Sequence, residues 1–216
     1  MYPNRDEEYD RMRKLAITII LDYNITMEDY PLDMDKLFKR MGINVVPYSA
    51  YAERPNFDLL LKRSKDGFNV PITKNQKPTI YFNDQYGGEL TPARISSTKG
   101  HELKHICEED KDDSDDKLCD YFSKYIRCPI PILLYLGIDS RQELISRFGV
   151  SDVQADIILT TVNRHKNKFG NKYYDYEVLL IKQILGPWNE IEPELIMSSS
   201  EETNGLFDDL LEFNKL

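Results

Sequence analysis

The sequence predicts an α+β fold, on three observations. "INVVPYSAY" (43–51) and "PTIYFND" (78–84) are rich in β-branched and aromatic residues and are bounded by turn formers, as strands are. Stretches on either side carry apolar residues at helical spacing. Beyond residue 116 the remaining signals are helical. The expected arrangement is a small, mostly antiparallel sheet packed on one helix, followed by a helical second half.

The elements follow in chain order. Residues 5–23 read as a first helix through Met12, Leu15, Ile19 and Tyr23. "YPLDMDKLFKRMG" (30–42) reads as a second, with Asp33 as its cap, Leu37, Phe38 and Met41 inward and Gly42 at its end. Residues 43–49 and 78–83 are the two strands, with Pro47 at an edge or bulge. "FDLLLKR" (57–63) suits a short helix, and "QYGGELTPAR" (85–94) a loop. A helix runs from about Ile95 to Cys107. The charge run "EEDKDDSDD" (108–116) connects it to a helix in "DKLCDYFSKYIR" (116–127). "CPIPILLYLG" (128–137) is apolar and broken by prolines. Two short helices flank "FGVS" (148–151), with Ser151 capping the second. "YDYEVLLIKQILG" (174–186) is a further helix, and an acidic, serine-rich, flexible tail is expected from Pro187. The organisation expected is a core over 1–136, a helical extension over 137–186 and a tail over 187–216.

Composition narrows the function classes. The 216 residues are 41% hydrophobic and 11% aromatic, enough for a packed core. The net charge of -9 argues against a broad nucleic-acid footprint. "SRQELISRFGVSDVQADIILTTVNRHK" (140–166) has a helix-turn-helix look. Its second helix, however, opens "SDVQADIILTTV", with two aspartates and mostly apolar residues, and only Arg164, His165, Lys166 and Lys168 at its end suit DNA contact, so packing is the expected role. The apolar run Leu15–Leu21 is too short to span a bilayer, and the N-terminus has no signal-peptide pattern. Three cysteines, an odd number, suit reduced thiols in a cytoplasm.

"STKGHELKHICEED" (97–110) carries the chemistry. His101 and His105 stand four apart, on one helical face, where two imidazole nitrogens can grip one zinc ion. Glu102 lies about 100° round the helix, placed to take a proton from a water that the metal activates. Given three histidines and sixteen glutamates in the chain, chance supplies roughly 0.003 such H-E-x-x-H matches. The competing reading is a pair of ordinary helix histidines. A catalytic site needs a third protein ligand. Glu108 and Glu109 point on up the same helix. Asp116, on the first turn of the next helix, is the best-placed donor, with Asp115 or Asp113 as alternatives. Asp116 also reads simply as an acidic residue favoured at a helix N-terminus. His165 reads as an exposed residue after a helix, and Cys107 as a small core residue.

"ARISSTKGHELKHI" (93–106) followed by "DDKLCDYFSKYIRCPIPIL" (115–133) resembles the ImmA/IrrE metallopeptidase family. That pattern is an arginine, a short run, H-E-x-G-H, and then a helix reading E-x-x-A-(N/D)-x-F-A-x-x-(L/I)-x-x-P. Here Arg94 leads the zinc helix and Asp116 falls at the place of the third zinc ligand. Asp120, Phe122, Ile126 and Pro129 match in register. Three residues depart from the pattern. Lys104 replaces a glycine, where its stem would line the cleft. Asp116 is one methylene shorter than the expected glutamate. Cys119 replaces a small alanine. The resemblance covers about residues 10–165. It implies a zincin-like core, zinc held by His101, His105 and Asp116, and Glu102 as the catalytic base. It also implies an intracellular endopeptidase of a prophage, mobile element or stress response, acting on a helix-turn-helix repressor. The alternative in the same fold is an inactive regulator that binds its partner. Any of the fourteen tyrosines is a candidate to hydrogen-bond the tetrahedral oxyanion.

Overall fold

The chain opens with α1 (Arg5–Asp22) in a computed structural model that describes residues 5–54, 57–74, 76–85, 90–108 and 116–198. Residues 14–20 are buried without a break, so the second half of α1 is enclosed on every side rather than along one stripe. It packs against α5 (Asp116–Arg127) and α9 (Asp175–Leu185). Helix α2 (Met34–Met41) follows the sequence reading. The Asp33 side chain accepts from the Asp35 and Lys36 amides, and Gly42, at φ +72°, ends it in a left-handed turn.

The main sheet has the strand order β1 (Asn44–Pro47), β3 (Thr79–Phe82), β2 (Gly67–Val70). β2 pairs antiparallel with β3, Phe68 facing Tyr81, whereas β1 pairs with β3 in parallel, Asn44 facing Thr79. The sheet is therefore evenly mixed, which corrects the mostly antiparallel expectation. The reason lies in the connection. Between β1 and β3 the chain makes a 3₁₀ turn (Tyr48–Tyr51), helix α3 (Phe57–Arg63) and β2. A crossover of that length is what parallel pairing needs. Strand β2, "GFNV", escapes sequence reading because glycine and asparagine are poor strand formers. The first strand also stops at Pro47, short of the expected 49.

Helix α4 (Pro92–Cys107) starts three residues before the predicted Ile95. Thr91 caps it by accepting from the Arg94 amide, and Pro92 takes the first turn, where a missing N–H costs nothing. The proline-rich apolar stretch is a helix, α6 (Ile130–Leu136), for the same reason: Pro131 falls in its first turn. Of the two helices around "FGVS", α7 (Arg141–Phe148) is short, but α8 (Asp152–Phe169) runs for 18 residues. Ser151 caps it as expected, with Gln154 completing the capping box. Residues 187–198 fold back rather than trail away. Tyr135 Oη donates to Asn189 at 3.2 Å, and β5 (Ile196–Met197) pairs in parallel with β4 (Tyr173–Tyr174). The rest of the acidic tail, 199–216, lies outside the described residues. One buried apolar cluster runs from Met12 to Ile184, across the 136/137 boundary. Among the described residues no helix is long and apolar enough to cross a membrane.

Candidate metal centre

Helix α4 lies between the sheet and α5, and two glycines set how tightly. A Cβ on Gly100 would meet Ser123 of α5 at 2.5 Å from its Oγ and 3.2 Å from its Cα. A Cβ on Gly67 of β2 would meet Thr98 Cγ2 at 2.8 Å. Both contacts are closer than any side chain permits, so α4 is held near both neighbours by the absence of two methyl groups. His101 follows Gly100 directly, and Cys119 sits one turn before Ser123. The close approach therefore carries donors of α4 and α5 together.

His105 and Cys119 are buried, with Nε2 and Sγ 3.3 Å apart. The ligand atoms of His101, His105 and Cys119 all lie within 4.8 Å of one another, a cluster able to hold a metal ion. Two ligands sharing one zinc, with Zn–N of about 2.05 Å and Zn–S of about 2.3 Å at a tetrahedral angle, stand roughly 3.5 Å apart. The His105–Cys119 separation matches that. Asp116 is close too, its Oδ1 3.8 Å from His101 Nε2, but its side chain is 79% exposed. A nitrogen and an oxygen sharing zinc would stand about 3.3 Å apart. Asp116 therefore has further to move than Cys119. Imidazole nitrogens with a thiolate or carboxylate form the donor set that zinc prefers. Asp113 and Asp115, the alternative donors, lie outside the described residues.

Asp120 orients the first histidine. Its Oδ1 lies 3.1 Å from His101 Nδ1. A proton on Nδ1 donates into that carboxylate and leaves the Nε2 lone pair facing the cluster. Burial pushes the His101 pKa down, but the Asp120 hydrogen bond and the charges of Glu102, Asp120 and Asp116 outweigh it and hold the value above the ordinary one. Asp120 in turn is lowered, first by its bond to His101.

Glu102 is buried on the sheet side of α4, where Asn69 Nδ2 of β2 donates to its Oε2 at 3.0 Å. Tyr48 feels that carboxylate. Burial first, and then the Glu102 charge, push its phenol up to about 12, while its hydroxyl donates to the Ser64 carbonyl at 3.1 Å.

Several residues take other places than the sequence suggests. Lys104 does not line a cleft; it is buried and pairs with Glu108 at 3.0 Å. Glu108 also pairs with Arg11, so its carboxylate is committed away from the cluster. Arg94 pairs with Asp66 at 2.8 Å. His165 is inside α8, not after it, and its Nε2 bonds the Lys172 carbonyl at 2.9 Å. Cys107 packs against the core as expected, its thiol pushed up to about 12 by burial. Sequence reasoning missed Cys119 as a donor and Asn69 as the partner of Glu102. The signal for Cys119 was present: a thiol at an inward helix position opposite two histidines. Asn69 had none. Comparison with known proteins finds no matching family model, no matching curated protein and no matching solved structure.

Proposed function

We propose that this chain is a zinc-dependent endopeptidase. The observation that carries the reading is the convergence of His101, His105 and Cys119 beside a buried glutamate on the same helix. His101 and His105 hold the metal, and α5 supplies the third donor. Cys119 has the better distance, and Asp116 is the residue that the ImmA/IrrE resemblance implies. Zinc bound there supplies Lewis acidity, lowering the pKa of a water and polarising a peptide carbonyl. The remaining work belongs to the chain. Glu102 accepts the proton through Oε1, because Asn69 occupies Oε2 and fixes the carboxylate's orientation. Asp120 keeps His101 in the tautomer whose Nε2 can bind metal. The resemblance supplies the setting: an intracellular enzyme that cuts a helix-turn-helix repressor of a prophage, mobile element or stress response at an exposed linker.

One observation favours a second reading. If Cys119 and Asp116 both bind, the ion has four protein ligands, and a closed site of that kind is structural. The chain would then act by binding its partner. Co-expression with the helix-turn-helix proteins encoded nearby, read by mass spectrometry, separates the two. The peptidase yields a fragment, and Glu102→Gln lowers its rate by at least about 10²-fold while zinc content holds. An intact complex with both proteins, or equal cleavage by both, rejects the peptidase in favour of the binder.

A further inference from the structure

Beside the metal centre, α1, α5 and α8 enclose a groove of about 440 Å³. Its floor is apolar and aromatic, with Tyr121, Ile158 and the 44%-exposed Ile157. Its rim is basic, with Lys117, Lys124 and Arg164. Among the described residues none of these three cations is in an ion pair within 4.0 Å. In a chain of net charge -9 this is a local reversal of sign over an apolar floor. It suits an acidic, amphipathic segment better than a neutral one.

The chain itself carries such a segment. "GLFDDLLEFNKL" (205–216) places Leu206, Phe207, Leu210, Leu211 and Phe213 on one arc at about 100° per residue, with Asp208, Asp209 and Glu212 on the other. Over 199–216 there are five carboxylate residues and one lysine. The described chain also ends on elements that adjoin α1, one wall of the groove. Met197 pairs with Tyr174, and the Arg13 guanidinium lies over the Tyr174 ring at 5.2 Å. Tyr9, one turn before Arg13 on α1, lines the groove. Residues 199–205, when extended, reach roughly 20 Å.

We propose that residues 206–213 dock in this groove of the same molecule, apolar arc on the floor and carboxylates toward Lys117, Lys124 and Arg164. Asp120 lines the groove and also holds His101, so the docked segment covers the outer partner of the metal centre.

Zero-length carbodiimide coupling of the full chain, followed by mass spectrometry, tests this. Expected are links from Asp208, Asp209 or Glu212 to Lys117 or Lys124. They should be lost in a Phe207→Ser, Leu210→Ser, Leu211→Ser variant and in Ile157→Asp, with melting temperature monitored to show that the fold persists. No such links, or links that survive the serine substitutions, overturn the proposal. Links joining heavy and light chains in an isotope-mixed sample make a second copy the occupant and overturn docking within one molecule.

Discussion

Two polar clusters meet α5 from opposite neighbours, and they are built differently. At α1 and α9, cations face anions. Asp10 pairs with Arg13 at 2.8 Å and Lys14 at 3.0 Å and accepts from Tyr176, while Tyr125 donates to Glu177 at 3.1 Å. At α4, like faces like: two imidazoles and a thiol converge, with carboxylates behind them. The first cluster carries its own counter-charges. The second brings together three donors of the kind that bind a metal ion. Burial alone does not mark a functional site; the sign of what is buried together does.

Substitutions in each cluster should separate these roles. The largest effect belongs to Asp10→Ala, which takes the carboxylate from the buried Lys14 and the half-buried Arg13. It should cost about 3–5 kcal/mol of stability, measured by denaturant unfolding, and leave zinc stoichiometry in the folded protein unchanged. A loss of zinc there would erase the distinction between the clusters.

Next is Cys119→Ala. Losing a ligand should lower zinc affinity at least about 100-fold, beyond the range for an outer partner, and Asp116→Ala should lower it less. Competition with a chelating dye measures both. In the cobalt-substituted protein a thiolate charge-transfer band should vanish with Cys119→Ala alone. The reverse order of affinities would return the third place to Asp116.

Asp120→Asn should lower affinity about 10–100-fold, the usual effect of a partner behind a ligating histidine. It also removes an influence that raises His101, so NMR titration of the metal-free protein should show the His101 pKa falling. The sign of the pH dependence follows from the directions. His101 is raised, so its contribution to metal-free stability is complete below its unfolded value and is lost as pH rises through the folded one. Asp120 is lowered, so its contribution is present above its unfolded value and is lost as pH falls through the folded one. A proton on His101 also competes with the metal, so zinc affinity should fall as pH drops below the raised His101 pKa. A pH-independent affinity would remove His101 from the ligand set.

The smallest change is Gly100→Ala. The added methyl meets Ser123, including its backbone Cα at 3.2 Å, and overpacking of that kind costs about 1–3 kcal/mol. Because it pushes α4 from α5, zinc affinity should drop with stability. Stability falling alone would mean that the helix spacing does not set the donor distances.

Much of this was legible before folding. The caps at Asp33 and Ser151 and the helical spacing of His101 and His105 involve residues within a few positions of each other, so local geometry places them. Asp116 could be assigned to the start of α5 for the same reason. The parallel pairing of β1, the strand "GFNV" and the helix in "IPILLYL" were not legible. A strand's pairing partner is set by distant residues, and Pro131 is tolerated only because the helix begins at Ile130, which puts it in the first turn.

The sequence by itself determined that two histidines and a glutamate share one helix, and that an acidic and thiol-bearing helix follows. Only the tertiary structure decided that Cys119 faces His105, that Asn69 holds Glu102 and that Asp120 holds His101. Helical periodicity sets directions around one axis. The distance between axes is set here by Gly100 and Gly67, whose contacts are with residues 23 and 31 positions away, Ser123 and Thr98.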